Sequence, residues 1–216
     1  MRPFTDLSKF RSAFDYRLLR LRKSYASILS GADPNPRQGL PFVVIELDNL
    51  VLSGLREYTL STLRGARTVG GIRIKVNQQF GPSDQIGAFI MSVVQNYTYQ
   101  KLGQPASVSR TQEPTIRDPR QTEKVLVQCG ASNLVSLQNA LALNTSLFSD
   151  LATLRNFYAH RNEDTWRKVR NKALNMGAYT ISHPDQLSIH LIPGRPVSVL
   201  QDWLDDAELF FHEATQ

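Results

Sequence analysis

Apolar residues recur along the chain at intervals of three, four and seven, a spacing that lays out helices before any single residue is considered. Phe4, Leu7, Phe14, Leu18, Leu21, Tyr25 and Ile28 make one stripe, predicting an amphipathic first helix whose other faces carry basic residues. Gly31-Ala32-Asp33-Pro34-Asn35-Pro36 ends it, because two prolines and a glycine cannot continue a helix. Val44, Leu47, Val51, Leu55 and Tyr58 keep the spacing and predict one long helix from about 42 to 65.

After Gly70-Gly71, residues Ile72 to Val76 alternate apolar with basic, the pattern of a short edge strand or an extended loop. Ser83 is placed to cap a helix carrying Ile86, Phe89, Val93 and Tyr97. Residues 103 to 120 hold Gly103, Pro105, Pro114 and Pro119 and read as a long surface loop. Helical spacing resumes at Thr122 and breaks at Gly130. Leu147, Leu151, Leu154 and Tyr158 predict a helix with Ser146 as its N-cap, and Trp166, Val169, Ala173 and Met176 predict the next. Tyr179 to Ser182 and Leu187 to Ile192 flank His183-Pro184-Asp185, which can turn a small β-hairpin. Val199, Leu200, Trp203, Ala207 and Phe210 predict a terminal helix with Pro196 in its first turn. The fold class expected is mainly α, an antiparallel helical bundle with minor β content.

With 216 residues and 41% hydrophobic content, the chain can bury a full core. A single domain over 1–216 is expected, with a basic helix and loop over 1–40 preceding a bundle over 42–214. The lone Cys129 excludes an intrachain disulfide and a cysteine-rich metal site. Arg2, Asp6 and Lys9 interrupt the apolar residues of the first ten positions, unlike a secretory signal. No stretch approaches the ~18 uncharged apolar residues of a membrane span, so a cytoplasmic protein off the membrane is expected.

Charge changes the picture by its distribution more than by its total of +6. Residues 2 to 23 hold seven basic residues, from Arg2 to Lys23, against Asp6 and Asp15. Arg161, Arg167, Lys168, Arg170 and Lys172 form a second cluster, while the last sixteen residues are acidic without Lys or Arg. Such separation suits a polyanion on one face, subunits meeting through opposite charges, or simply solvated helix faces.

One constellation carries candidate chemistry: Arg155-Asn156-Phe157-Tyr158-Ala159-His160. On a regular helix Asn156 and His160 share a face, so the amide can orient the imidazole. Arg155 lies about 140° away from His160, so both reach one substrate only if the helix ends near His160 or the arginine wraps round. Asn162 with Glu163-Asp164 resembles the cap of a following helix and places that end at 160 to 162. His183, His190 and His212 read as structural, and Glu46 and Asp48 as carboxylates that ordinary pairing explains as well as a cleft does. No phosphate-cradling loop and no metal-ligand cluster stands out. The plainer reading of the motif is an arginine in a surface ion pair and a histidine suited to a helix C-terminus.

In Arg155-Asn156-x-x-x-His160, on an apolar-periodic helix in the later part of a bundle, the chain resembles the HEPN domains. The resemblance covers about residues 42 to 214 and not the first forty. It implies a metal-independent RNA endonuclease of the toxin or phage-defence kind, with Arg155, Asn156 and His160 catalytic and no cofactor. It also implies a homodimer whose two motifs face one cleft, Arg161 and Asn162 beside the RNA, and an antitoxin or regulatory protein as a further partner. The alternatives are a catalytically inactive module of the same fold that binds RNA, a nucleotide or a protein, and, last, a DNA binder using the basic first helix.

Overall fold

The computed structural model describes residues 4–33 and 35–216, the side chains of Pro36 and Arg37 excepted. Arg2 of the basic cluster and Pro34 of the predicted break lie outside the described residues. Among those described, the chain is mainly helical. Its helices are α1 (Leu7–Leu29), α2 (Pro36–Leu63), α3 (Ser83–Val94), α4 (Asn96–Lys101), α5 (Pro119–Cys129), α6 (Leu134–Ala142), α7 (Leu147–His160), α8 (Glu163–Asn175), α9 (Pro184–Ile189) and α10 (Val199–Ala214). Only isolated β-bridges occur among the described residues, such as Leu191 with Ser198.

The chain divides into two compact units. The first comprises residues 1–14, 52–144 and 210–216. Its core is aromatic: Phe211 meets Phe14 with ring centroids 4.3 Å apart and Phe10 at 5.7 Å. Such pairs add about 0.5–1.5 kcal/mol each to the area they bury. Gly54 is needed here, because a Cβ at that position would come within 2.7 Å of the Phe211 ring. Arg56 grips buried Glu113 through two hydrogen bonds, 2.6 and 2.7 Å, and so ties the loop before α5 to α2.

The second unit comprises residues 15–51 and 145–209. Leu18, Leu21 and Tyr25 of α1, Val43, Val44 and Leu47 of α2, Leu151 and Leu154 of α7, Val169 of α8 and Trp203 of α10 are all buried. Each of the larger side chains contributes about 1.5–3 kcal/mol by leaving water. Tyr25 hydroxyl pairs with Ser198 Oγ at 2.6 Å. Arg22 donates to Asp205 and, at 2.7 Å, to Glu208, so part of the basic first helix is matched by the acidic last one within the chain itself.

Several local expectations are corrected. Residues Pro184–Ile189 form α9 where a hairpin was expected. The cause is a capping box: Gln186 Oε1 accepts from the His183 N–H at 3.2 Å, His183 Nδ1 accepts from the Asp185 N–H at 3.2 Å, and Pro184 suits the first turn. Ser83 does not cap α3; its hydroxyl accepts from Arg64 at 2.9 Å. Ser146 makes no side-chain cap on α7, and Thr145 Oγ1 accepts the Leu147 N–H at 3.1 Å instead. The helix predicted through Tyr97 breaks at Gln95, where φ is −132°. Pro119, assigned to a loop, is the first residue of α5, behind a capping box built on Asp118. Pro196 lies before α10, whose Gln201 N–H is accepted by Ser198 Oγ at 3.3 Å. By length and composition α2 is long and apolar enough over Gln38–Leu63 to cross a membrane, but Glu46 and Asp48 interrupt it, as the sequence reading required, and half of its most apolar window is buried inside the protein.

Candidate functional site

The second unit carries every residue of the predicted site. Helix α7 is fixed by its buried stripe Leu147, Leu151, Leu154 and Tyr158, and ends on His160 as expected. Arg161 then adopts a left-handed conformation, φ 46°, with its N–H on the Phe157 carbonyl at 2.7 Å. Glycine normally takes that role at a helix end, and a side chain there costs about 1 kcal/mol. Asn162 follows and caps α8, its Oδ1 accepting the Thr165 N–H at 2.9 Å. The pair Arg161-Asn162 is thus the whole connection of a tight helical hairpin, and α8 packs back on α7. Lys172 of α8 closes the far end on the buried Asp150 carboxylate of α7 at 2.6 Å.

Arg155 is not the surface ion pair that the plainer reading offers. Its Nε is buried and lies 3.7 Å from Oδ2 of Asp48, a carboxylate itself only 4% exposed. That is ion-pair distance without hydrogen-bond geometry. Its Nη1 donates to Asn156 Oδ1 at 3.5 Å. The rest of the guanidinium fork is open, with the side chain 32% exposed. Asn156 therefore serves Arg155, and among the described residues it makes no bond to His160, contrary to the orientation expected from their spacing. His160 is exposed, its ring without a hydrogen bond among the described residues. Arg155 and Asn156 are brought together; Arg155 and His160 share no hydrogen bond among the described residues.

The cations that follow are uneven. Arg167 and Lys168 both pair with Asp164 at 2.7 Å. The exposed side chains of Arg161 and Arg170 make no hydrogen bond or ion pair among the described residues. Arg161 borders an open cleft of ≈ 550 Å³, also lined by Phe157, Tyr158, His183, Asp185 and Gln186. In it the Tyr158 hydroxyl donates to Asp185 Oδ1 at 2.6 Å. Burial, and then the adjoining Asp185 carboxylate, push the Tyr158 hydroxyl far above the ordinary phenol value, so it is a fixed donor. The cleft was not foreseen. Its legible signal was the unit His183-Pro184-Asp185-Gln186, an N-cap followed by proline and a glutamine three residues on.

No family model, no curated protein and no solved structure matches the chain.

Proposed function

We propose that the chain is an RNA endonuclease of the HEPN kind, a cytoplasmic toxin or antiviral-defence effector that works as a homodimer. The observation that carries this reading is the pairing of an exposed, unengaged His160 at a helix end with an Arg155 whose Nε faces a buried carboxylate and whose Nη1 reaches Asn156, which leaves Nη2 open. In RNA cleavage of this type the 2′-oxygen loses its proton to a base and bonds to phosphorus. The bond from phosphorus to the 5′-oxygen breaks, and an acid protonates the leaving oxygen. Imidazole serves as base or acid near neutral pH. Guanidinium stays charged and grips the phosphate oxygens as negative charge grows on them.

Because Arg155 and His160 leave one helix about 140° apart, a second copy supplies the missing partner of each. One His160 takes the 2′-proton and the other delivers the proton to the 5′-oxygen, while the Arg155 pair neutralises the phosphorane. Asn156 holds Arg155, and Arg161 meets flanking phosphates. Asn162 contributes by fixing the hairpin, since its carbonyl oxygen is committed to the α8 cap.

The test is incubation of the purified, folded dimer with RNA in EDTA, beside the His160→Ala variant. Cleavage by wild type, absent in the variant, is the expected result. Intact RNA with a confirmed dimer, or undiminished cleavage by the variant, defeats the reading and leaves a catalytically silent RNA- or protein-binding module. Expression in cells gives an independent readout: growth should arrest only with His160 present.

A further inference from the structure

Next to the hairpin turn, the cleft bordered by Arg161 offers the groups that recognise a base. Phe157 and His183 stand edge to face at 6.3 Å, and Trp166 supports Phe157 from 6.0 Å. Flat rings of this kind in a polar-edged cleft are how proteins hold the splayed bases of single-stranded RNA. At ≈ 550 Å³ the cleft lies within the size range of small-ligand sites. The polar edge belongs to Asp185. Its Oδ1 accepts the Tyr158 hydroxyl hydrogen bond, and its Oδ2 lies 3.2 Å from His183 Nδ1.

That second approach is not a bond in the capped state. Nδ1 already accepts the Asp185 N–H, so it carries no proton to give and Oδ2 keeps its lone pairs for a ligand. The carboxylate is therefore steered by Tyr158 and still able to accept. Gln186 Oε1 accepts the N–H groups of Ser182 and His183, at 2.6 and 3.2 Å, which leaves its amide nitrogen free to donate.

A base that suits this edge presents two adjacent N–H donors to a carboxylate and an acceptor beside them. Guanine does so through N1–H, N2–H and O6. Adenine, cytosine and uracil each lack part of that pattern on one edge. Arg161, which lines the cleft, is exposed and comes one residue after His160, can meet the phosphate of the same nucleotide.

We propose that the cleft formed by Phe157, Arg161, His183, Asp185 and Gln186 is a guanine-specific subsite for single-stranded RNA, adjoining the scissile position. The assignment of RNA as substrate rests on the function proposed above, whereas nucleotide binding by the cleft does not depend on catalysis.

The experiment separates the two. Full-length His160→Ala protein is titrated calorimetrically with GMP, AMP, CMP and UMP. GMP should bind at least ~5-fold more tightly than the others, the low end of discrimination by a bidentate base contact. Asp185→Asn should abolish that preference. Arg161→Gly, which also relieves the left-handed backbone, should weaken GMP and leave guanosine unchanged, a result that unfolding cannot mimic. Equal affinity for all four nucleotides, or a preference surviving Asp185→Asn in a folded variant, overturns the subsite. Guanine-selective binding by a wild type that never cleaves RNA upholds the cleft and removes the nuclease. Cleavage dependent on His160 with no base selectivity in binding does the reverse.

Discussion

The turn that closes α7 and the turn that opens α9 each present a histidine, and the two are held in opposite ways. His160 ends its helix exposed, its ring without a hydrogen bond among the described residues. His183 accepts the Asp185 N–H, lies edge-on to Phe157 and anchors a capping box. A ring committed to a backbone donor has one nitrogen taken and one tautomer fixed. A ring with both nitrogens open can accept and release a proton in turn. Sequence position does not distinguish them, since both sit at helix ends; the difference lies in what the following residues offer. After His183 comes Pro184 and the Asp185 N–H, whereas after His160 the chain turns left-handed at Arg161 and hands capping to Asn162.

The largest expected effect breaks this contrast directly. His160→Ala should lower RNA cleavage by about 10²- to 10⁴-fold, the usual range for a positioned acid or base. Stability should stay within about 0.5 kcal/mol, as for exposed substitutions. His183→Ala should instead cost about 1 kcal/mol through the lost cap, with a much smaller loss of cleavage. Cleavage assays and thermal unfolding of both variants check this, and equal losses of cleavage would remove the distinction.

Asp48→Ala sharpens it from beneath. The pair with Arg155 is buried on one side and a third exposed on the other. Its removal should therefore cost between the ~1 kcal/mol of an exposed pair and the ~3 kcal/mol of a buried one. Cleavage should fall further than that loss of folded protein explains, because Arg155 loses the carboxylate that faces it. Urea unfolding with rate measurement at saturating RNA separates the two.

At the far end of α7, Thr145→Val removes the oxygen that accepts the Leu147 N–H, and about 1 kcal/mol of stability should go with it in a denaturant titration. The smallest effect concerns Asp206, whose carboxylate accepts a hydrogen bond from the Thr145 hydroxyl. Burial raises its carboxyl above the ordinary 3.8, against the lowering effect of the Thr145 hydrogen bond, so the folded chain holds the carboxyl's own proton more tightly than the unfolded chain. Stability from the protonated form is present at low pH and lost as pH climbs through the raised value. Asp206→Asn should remove that loss, so thermal unfolding from pH about 3 to about 7 should show the variant gaining on wild type as pH rises.

Periodicity made the long elements legible. The stripe of α1 is buried at Leu7, Phe14, Leu18, Leu21 and Tyr25, and Asn162 caps α8 where its acidic sequel indicated. Short elements were obscured because their cause is a pair of side chains, not a period. Six residues from Pro184 to Ile189 hold too few turns for a stripe, and Gln186 together with His183 decides the matter. Of the candidate site, the helix end at His160 followed from local rules. The Asp48 partner of Arg155 did not, since more than a hundred positions separate them along the chain. Residues that far apart meet through the packing of the whole unit, which spacing within one helix cannot reveal.

The most direct test of His160-dependent cleavage through the 2′-hydroxyl uses an RNA oligonucleotide cut at a mapped position and its twin with a single 2′-deoxynucleotide there. Mass spectrometry of the products in EDTA should find a 2′,3′-cyclic phosphate and a 5′-hydroxyl from the first and no cut at that position in the second. Cleavage of the deoxy position by the wild-type protein would contradict the account.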